Sequence, residues 1–178
     1  MVRVALTGTP GVGKTTLAAV AAAHGWRVVD VKVWARAVGA VVGHDAADEA
    51  DVIDVDRLAT FVQPQPYDVV YEGHLSHLLP LDAAWVVRCD PRVLAQRLAN
   101  RGYSPAKLRE NLEAEALDIV LQEALDQLPV VIQRDGTRRS PAALFKAFAD
   151  ATRAGAKGHD LEPVDWSDQL PIGATHGP

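Results

Sequence analysis

Eleven residues near the N-terminus constrain this chain more than any others: Leu6-Thr7-Gly8-Thr9-Pro10-Gly11-Val12-Gly13-Lys14-Thr15-Thr16. Gly8 to Thr15 match the pattern G-x-x-x-x-G-K-[ST]. An apolar run, Val2 to Thr7, leads into them, and an Ala-rich helical stretch leads out. In that setting successive backbone N–H groups around Gly11, Val12 and Gly13 form a nest for anionic oxygens. The positive end of the following helix points at the same place. The pattern predicts a bound nucleoside triphosphate, with the Lys14 ammonium bridging its outer phosphates. The Thr15 hydroxyl is expected on Mg²⁺ and Thr16 near the innermost phosphate.

The rest of the chain alternates short apolar runs with helical patterns. Strands are expected over 2–7, 26–31, 67–73, 83–89 and 129–135. Helices are expected over 14–25 and 55–62, from Asp90-Pro91 to near Gly102, from Ser104-Pro105 to about Leu128, and over 140–155. Such alternation predicts an α/β fold with a five-stranded parallel sheet flanked by helices. One domain over 1–154 accounts for this, with an acceptor-binding segment at about 30–54 and a short lid at about 99–109. Residues 155–178 read as a C-terminal tail, pinned at Trp166.

Composition narrows the function. At 48% hydrophobic and 23% charged residues, the 178-residue chain can bury a core. The single cysteine, Cys89, excludes a disulfide framework or a four-cysteine zinc site; it reads as a small core residue. No apolar run reaches membrane-spanning length, and no signal peptide fits before the phosphate loop, so the expected location is cytoplasmic without membrane association. A net charge of −5 argues against sequence-independent nucleic-acid binding through the whole surface, and direct sequence-specific nucleic-acid binding is not expected either. The charge is nonetheless segregated. Asp45, Asp48, Glu49, Asp51, Asp54 and Asp56 form an acidic run, and Arg88, Arg92, Arg97, Arg101, Lys107 and Arg109 a basic one.

A kinase on this loop needs further parts. A strand-end carboxylate must share the metal, and Glu72 closes an apolar strand; His74 follows two residues later. Arginines must neutralise charge on the moving phosphoryl group. Arg97 and Arg101 stand four apart, and Arg101 precedes Gly102-Tyr103, a natural lid hinge. Arg36 is the one arginine in the acceptor segment. The only asparagines, Asn100 and Asn111, begin no N-K-x-D motif, which excludes a guanine-reading switch GTPase.

Taken together, LTGTPGVGKTTL, EGH, QRLANRGY, KLRENLEAEALDIVLQEA and the acidic DAADEADVIDVDRL resemble the adenylate kinase isoenzyme 6 family. These are nuclear and archaeal adenylate kinases also known as small-subunit ribosome maturation factors. The resemblance spans roughly residues 3–135. It implies the P-loop nucleoside triphosphate hydrolase fold in its nucleoside monophosphate kinase form with a short lid, the reaction ATP + AMP to two ADP with Mg²⁺, a slow ATPase, Arg101 as the lid arginine, and Glu72 and His74 at the family's strand-end motif. It also implies transient binding of the eleventh small-subunit ribosomal protein on the pre-30S particle and help with 16S rRNA maturation. Glu72 stands where eukaryotic members have aspartate. Two other readings remain open on the residues alone: an ATPase assembly factor with little AMP kinase activity, and a small-metabolite kinase of the shikimate or gluconate type.

Overall fold

The computed structural model describes residues 1–45, 50–99, 101–155 and 158–169. Asp48 and Glu49 of the acidic run, Asn100 in the lid segment and the chain beyond 169 lie outside those residues. The order of elements is β1 (Arg3–Thr7), α1 (Lys14–Ala23), β2 (Arg27–Asp30), α2 (Val31–Ala37), β3 (Val41–Asp45), β4 (Ala50–Ile53), α3 (Val55–Ala59), β5 (Val69–Glu72), β6 (Ala83–Arg88), α4 (Pro91–Ala99), α5 (Pro105–Ala116), α6 (Ile119–Gln127), β7 (Val131–Asp135), α7 (Pro141–Arg153) and β8 (Asp160–Leu161).

Strands pair in parallel in the order β2-β5-β1-β6-β7-β8. The central strands β1 and β6 are almost wholly buried, as a sheet covered on both faces requires. On one face Leu17, Leu94, Phe145 and Phe148 pack with Trp85, whose ring stacks on Phe148 at 5.2 Å and whose indole N–H reaches the Thr152 hydroxyl at 2.9 Å. On the other face Val31, Ala35, Leu58 and Leu121 pack over Val69, Tyr71 and Val86. Trp34 leans on Tyr71, ring centroids 5.6 Å apart, as a packing residue. Ser104 and Ser140 cap α5 and α7, each with proline in the first turn.

Two expectations need correction. The sheet has six strands, because Asp160–Leu161 of the tail pairs with β7. Side chains fix it there: Arg134 to Asp160, Arg139 to Glu162 at 2.7 Å, and Gln133 to the Glu162 carbonyl at 2.5 Å. Trp166 is 9% exposed under the Arg88 guanidinium, 5.1 Å from ring centre to carbon. The long helix expected from Ser104 to Leu128 is two helices. Arg88 takes the Glu115 carbonyl at 2.7 Å, and Asp118 adopts φ 59°, so the ladder breaks where no Gly or Pro marks it. Within the acceptor segment, β3 and β4 form an antiparallel hairpin.

Cys89 is fully buried, and burial pushes its thiol up to about 11. The thiolate is the reactive form. Against an ordinary cysteine near 9.0, native Cys89 should alkylate at least about a hundredfold more slowly at pH 8. Iodoacetamide labelling followed by mass spectrometry checks this; labelling as fast as in the urea-unfolded chain contradicts it. Because the unfolded thiol ionises first, this group also lowers stability as pH rises from about 9 towards 11.

Candidate active site

Strands β2, β5 and β1 end side by side, and a cleft of about 890 Å³ opens at their carboxyl ends. That is where ligands sit in open α/β sheets. The volume lies at the upper end of ordinary ligand pockets. The wall is drawn from the phosphate loop and the start of α1, the ends of β2 and β5, the hairpin and the corner between α4 and α5.

The phosphate loop is shaped by what it must not carry. A Cβ on Gly8, at φ 138°, would stand 2.5 Å from the Val87 carbonyl oxygen, so only glycine lets the loop leave β1 against β6. Gly13 holds φ 110° at the turn into α1, with open space where a ligand would approach. Lys14 is 8% exposed, and its ammonium donates to the Gly8 carbonyl at 2.7 Å and the Thr9 carbonyl at 3.0 Å. Burial lowers its pKa to about 8, against the pull of Glu72 and Glu115. The ammonium is thus folded back onto its own loop, where an anion could replace both carbonyls.

The Thr15 hydroxyl donates to Glu72 Oε1 at 3.4 Å. The longer glutamate therefore still brings its carboxylate to the hydroxyl across from it. These are two hard oxygen donors at the mouth of a phosphate nest, the kind of partial set that Mg²⁺ completes with water and phosphate oxygens; the donor set fits that ion. Desolvation by the cleft wall raises the Glu72 pKa, with Lys14 opposing it and Asp30 adding to it. His74, exposed to the cleft, is lowered first by desolvation and then by Lys14. Its neutral form is favoured, suited to hydrogen bonding more than to charge.

The cleft brings together Gly11, Gly13, Lys14, Thr15, Thr16, Glu72, His74 and Arg101. Three residues singled out in the sequence are elsewhere. Val12 packs its side chain into the core, 3% exposed. Arg36 lies on the surface of α2, held at 2.7 Å by Asp51, whose carboxylate it keeps below the usual range. Arg97 bonds the carbonyls of Val12 at 3.3 Å and Thr137 at 3.2 Å, so it braces the loop from behind. Arg101 falls beyond the end of α4, in the turn, which is why it reaches the cleft when Arg97 does not.

The basic run is likewise not one face. Arg88 is buried against Glu115, and Arg92 pairs with Asp90, while Arg101 and Lys107 face the cleft. Asp30 and Lys32, which the sequence analysis did not single out, also line it, as do Asp51, Tyr103, Lys107 and Asn111, named there for other reasons. Asp30 had a legible signal: an acid at the carboxyl end of a strand, paired in register with Glu72.

Comparison with known proteins places the chain among others. A family model described as an AAA domain matches residues 4–118. Proteins named "Putative adenylate kinase" are similar over nearly the whole length. The one from Pyrococcus abyssi is 40% identical over 168 residues, 93% of this chain and 91% of the relative. That from Pyrococcus furiosus is 41% identical, covering 92% and 91%. That from Archaeoglobus fulgidus is 39% identical, covering 94% and 93%. Among solved structures, deoxyadenosine kinase from M. mycoides matches with a TM-score of 0.51 at 12% identity, over 86% of this chain and all of that one. TT1252 from Thermus thermophilus matches at 0.50 and 17%, over 88% and 98%. At such identities these two show a shared fold.

Proposed function

The chain belongs to the same family as these archaeal "Putative adenylate kinase" proteins, and from that premise we propose that it transfers the γ-phosphoryl group of ATP to AMP or another nucleoside monophosphate. The observation that carries the reading is one cleft shared by the phosphate loop and the acceptor segment. The phosphate loop and the start of α1 bring Lys14 and Thr15, with Glu72 and its strand neighbour Asp30 beside them. The acceptor segment adds Lys32, Asp51 and Ile53, and the corner between α4 and α5 adds Arg101, Tyr103 and Lys107.

In this reading Gly11, Gly13, Thr16 and the α1 N-terminus hold the ATP phosphates. Lys14 leaves the Gly8 and Thr9 carbonyls and bonds the β- and γ-phosphates, a charge-assisted exchange that gains strength in a buried site. Thr15 and Glu72 would hold Mg²⁺, which when bound supplies neutralisation of the phosphate oxygens. A phosphate oxygen of the acceptor forms the new P–O bond while the bond to the β–γ bridging oxygen breaks and ADP leaves; no proton need be removed. Arg101 stabilises charge on the moving group, and neutral His74 orients it by hydrogen bonding. Lys32, from the acceptor segment, shapes the acceptor's side of the cleft.

The further roles implied by the resemblance have thinner support. A slow ATPase is compatible with a cleft open to water. Binding of the eleventh small-subunit ribosomal protein would need exposed acids, and two of the run are already engaged: Asp51 holds Arg36, and Asp54 caps α3. Among the described residues no helix is long and apolar enough to cross a membrane. The cytoplasmic location expected from the sequence stays part of the same proposal, and the lone buried thiol fits a reducing compartment.

The test is ADP formation from ATP and Mg²⁺ with AMP, CMP, UMP or no acceptor. A rise with at least one monophosphate is expected. A slow rate indifferent to all of them overturns the transferase reading in favour of hydrolysis.

A further inference from the structure

Glu115 is a carboxylate with 2% exposure, and a charge so placed must be matched on every side. Its Oε1 accepts from Arg88 Nε at 2.8 Å and from the Cys89 N–H at 2.9 Å. Its Oε2 accepts from the Thr9 hydroxyl at 2.5 Å. Thr9 belongs to the phosphate loop and is itself 1% exposed. Its carbonyl is one of the two that receive Lys14, and it also accepts from the Val12 N–H at 3.4 Å.

The helix that carries Glu115 has two duties. The opening turns of α5 put Lys107, Glu110 and Asn111 on the cleft wall, and its last turn puts Glu115 behind the phosphate loop. Arg88, at the end of β6, then ties that turn to the sheet through Glu115 and Gln133. A loop residue that served only to fill space there would need no hydroxyl. Valine has nearly the shape of threonine and would leave no buried donor to satisfy.

We propose that Thr9 and Glu115 are positioning residues for phosphotransfer: their buried hydrogen bond fixes the lysine-bearing loop to α5, so that the loop and the cleft wall keep one register when nucleotide binds. The assignment rests on the phosphotransfer reading for its kinetic consequence, and on geometry alone for its consequence in nucleotide binding. Lys14 must leave the Thr9 carbonyl to meet phosphate. A loop free to follow the lysine would lose the alignment that positions the γ-phosphoryl group, and a displacement on the order of 1 Å can cost about a hundredfold in rate.

The experiment compares the full chain with Thr9→Val and Thr9→Ser. Loss of a hydrogen bond to a charged partner corresponds to about a ten- to hundredfold effect. Thr9→Val should lose that much in kcat, with KM for ATP changed less than kcat and a melting temperature lowered by about 3–10 °C as Glu115 Oε2 loses its donor. Thr9→Ser keeps the hydroxyl and removes a methyl, so it should retain kcat within about threefold. A role in packing alone reverses that order, since serine then leaves the gap and valine does not. Full kcat in Thr9→Val, or equal impairment in both variants, overturns the assignment.

Calorimetric titration of the same three proteins with ATP separates this from the broader reading. If even the parent shows no acceptor-dependent turnover, the transferase reading falls. The positioning role then stands or falls on whether Thr9→Val binds ATP about tenfold more weakly while Thr9→Ser matches the parent; equal affinities in all three overturn it.

Discussion

Changing Lys14 to alanine should lower ADP formation from ATP and AMP by about a hundred- to a thousandfold, the range found when a preorganised charge-stabilising donor is removed. The ammonium is nearly buried and bonded to loop carbonyls, at 2.7 and 3.0 Å from Gly8 and Thr9. Alanine takes one donor from each of those carbonyls, but the space the lysine vacates opens on the cleft, so water can replace it. The fold should therefore survive, and melting temperature measured alongside the rate separates the two effects. A Lys14→Ala protein that kept full phosphotransfer would show the phosphate loop assigned to the wrong chemistry. Lys14→Arg should not rescue, because a planar guanidinium does not fit the space of a compact ammonium.

The largest effect on stability is expected at Arg88. Its guanidinium is 2% exposed and serves Glu115, the Glu115 carbonyl, the Asp118 carboxylate and Gln133 at once, with Trp166 beneath it. Arg88→Met keeps much of the volume and strands the Glu115 carboxylate with only Thr9 and the Cys89 N–H. Breaking one side of a buried pair costs about 3–5 kcal/mol. For a chain of this length that lowers the melting temperature by about 10 °C. Replacing both partners, Arg88→Met with Glu115→Leu, should recover part of the loss, since the Glu115 charge is gone while Asp118 still loses its cation. That double variant would also lack the partner of Thr9, so it should regain that part of the stability and still turn over slowly. A single Arg88→Met protein melting within about 2 °C of the parent would mean that water reaches Glu115 and the network is not closed.

How much of this was legible in the sequence differs by element. The central strands and the phosphate loop were, because a parallel strand buried on both faces writes itself as an unbroken apolar run and the loop carries its glycines at fixed spacing. Glu72 and His74 were legible as a strand end opposite the loop. The sixth strand was not: Asp160–Leu161 has no strand pattern and depends on Arg134, Arg139 and Gln133 for its place. The break between α5 and α6 depends likewise on a tertiary contact, the capture of the Glu115 carbonyl by Arg88. Helical spacing placed Arg97 and Arg101 on one face, but α4 ends at Ala99 and only Arg101 reaches the cleft. Arg36 stood in the right segment, and its side chain is spent on Asp51. Local pattern found the elements; which charged side chains meet one another was decided by packing between residues far apart in the chain.

The central claim is that the terminal phosphate moves to a nucleotide and not to water. Phosphorus NMR of ATP, Mg²⁺ and AMP with the protein reads this directly, since both products are seen in one spectrum. The account predicts that AMP and ATP signals fall together while ADP rises by two for each AMP consumed, with inorganic phosphate trailing far behind. ATP loss matched one-for-one by inorganic phosphate, with AMP untouched, would contradict it.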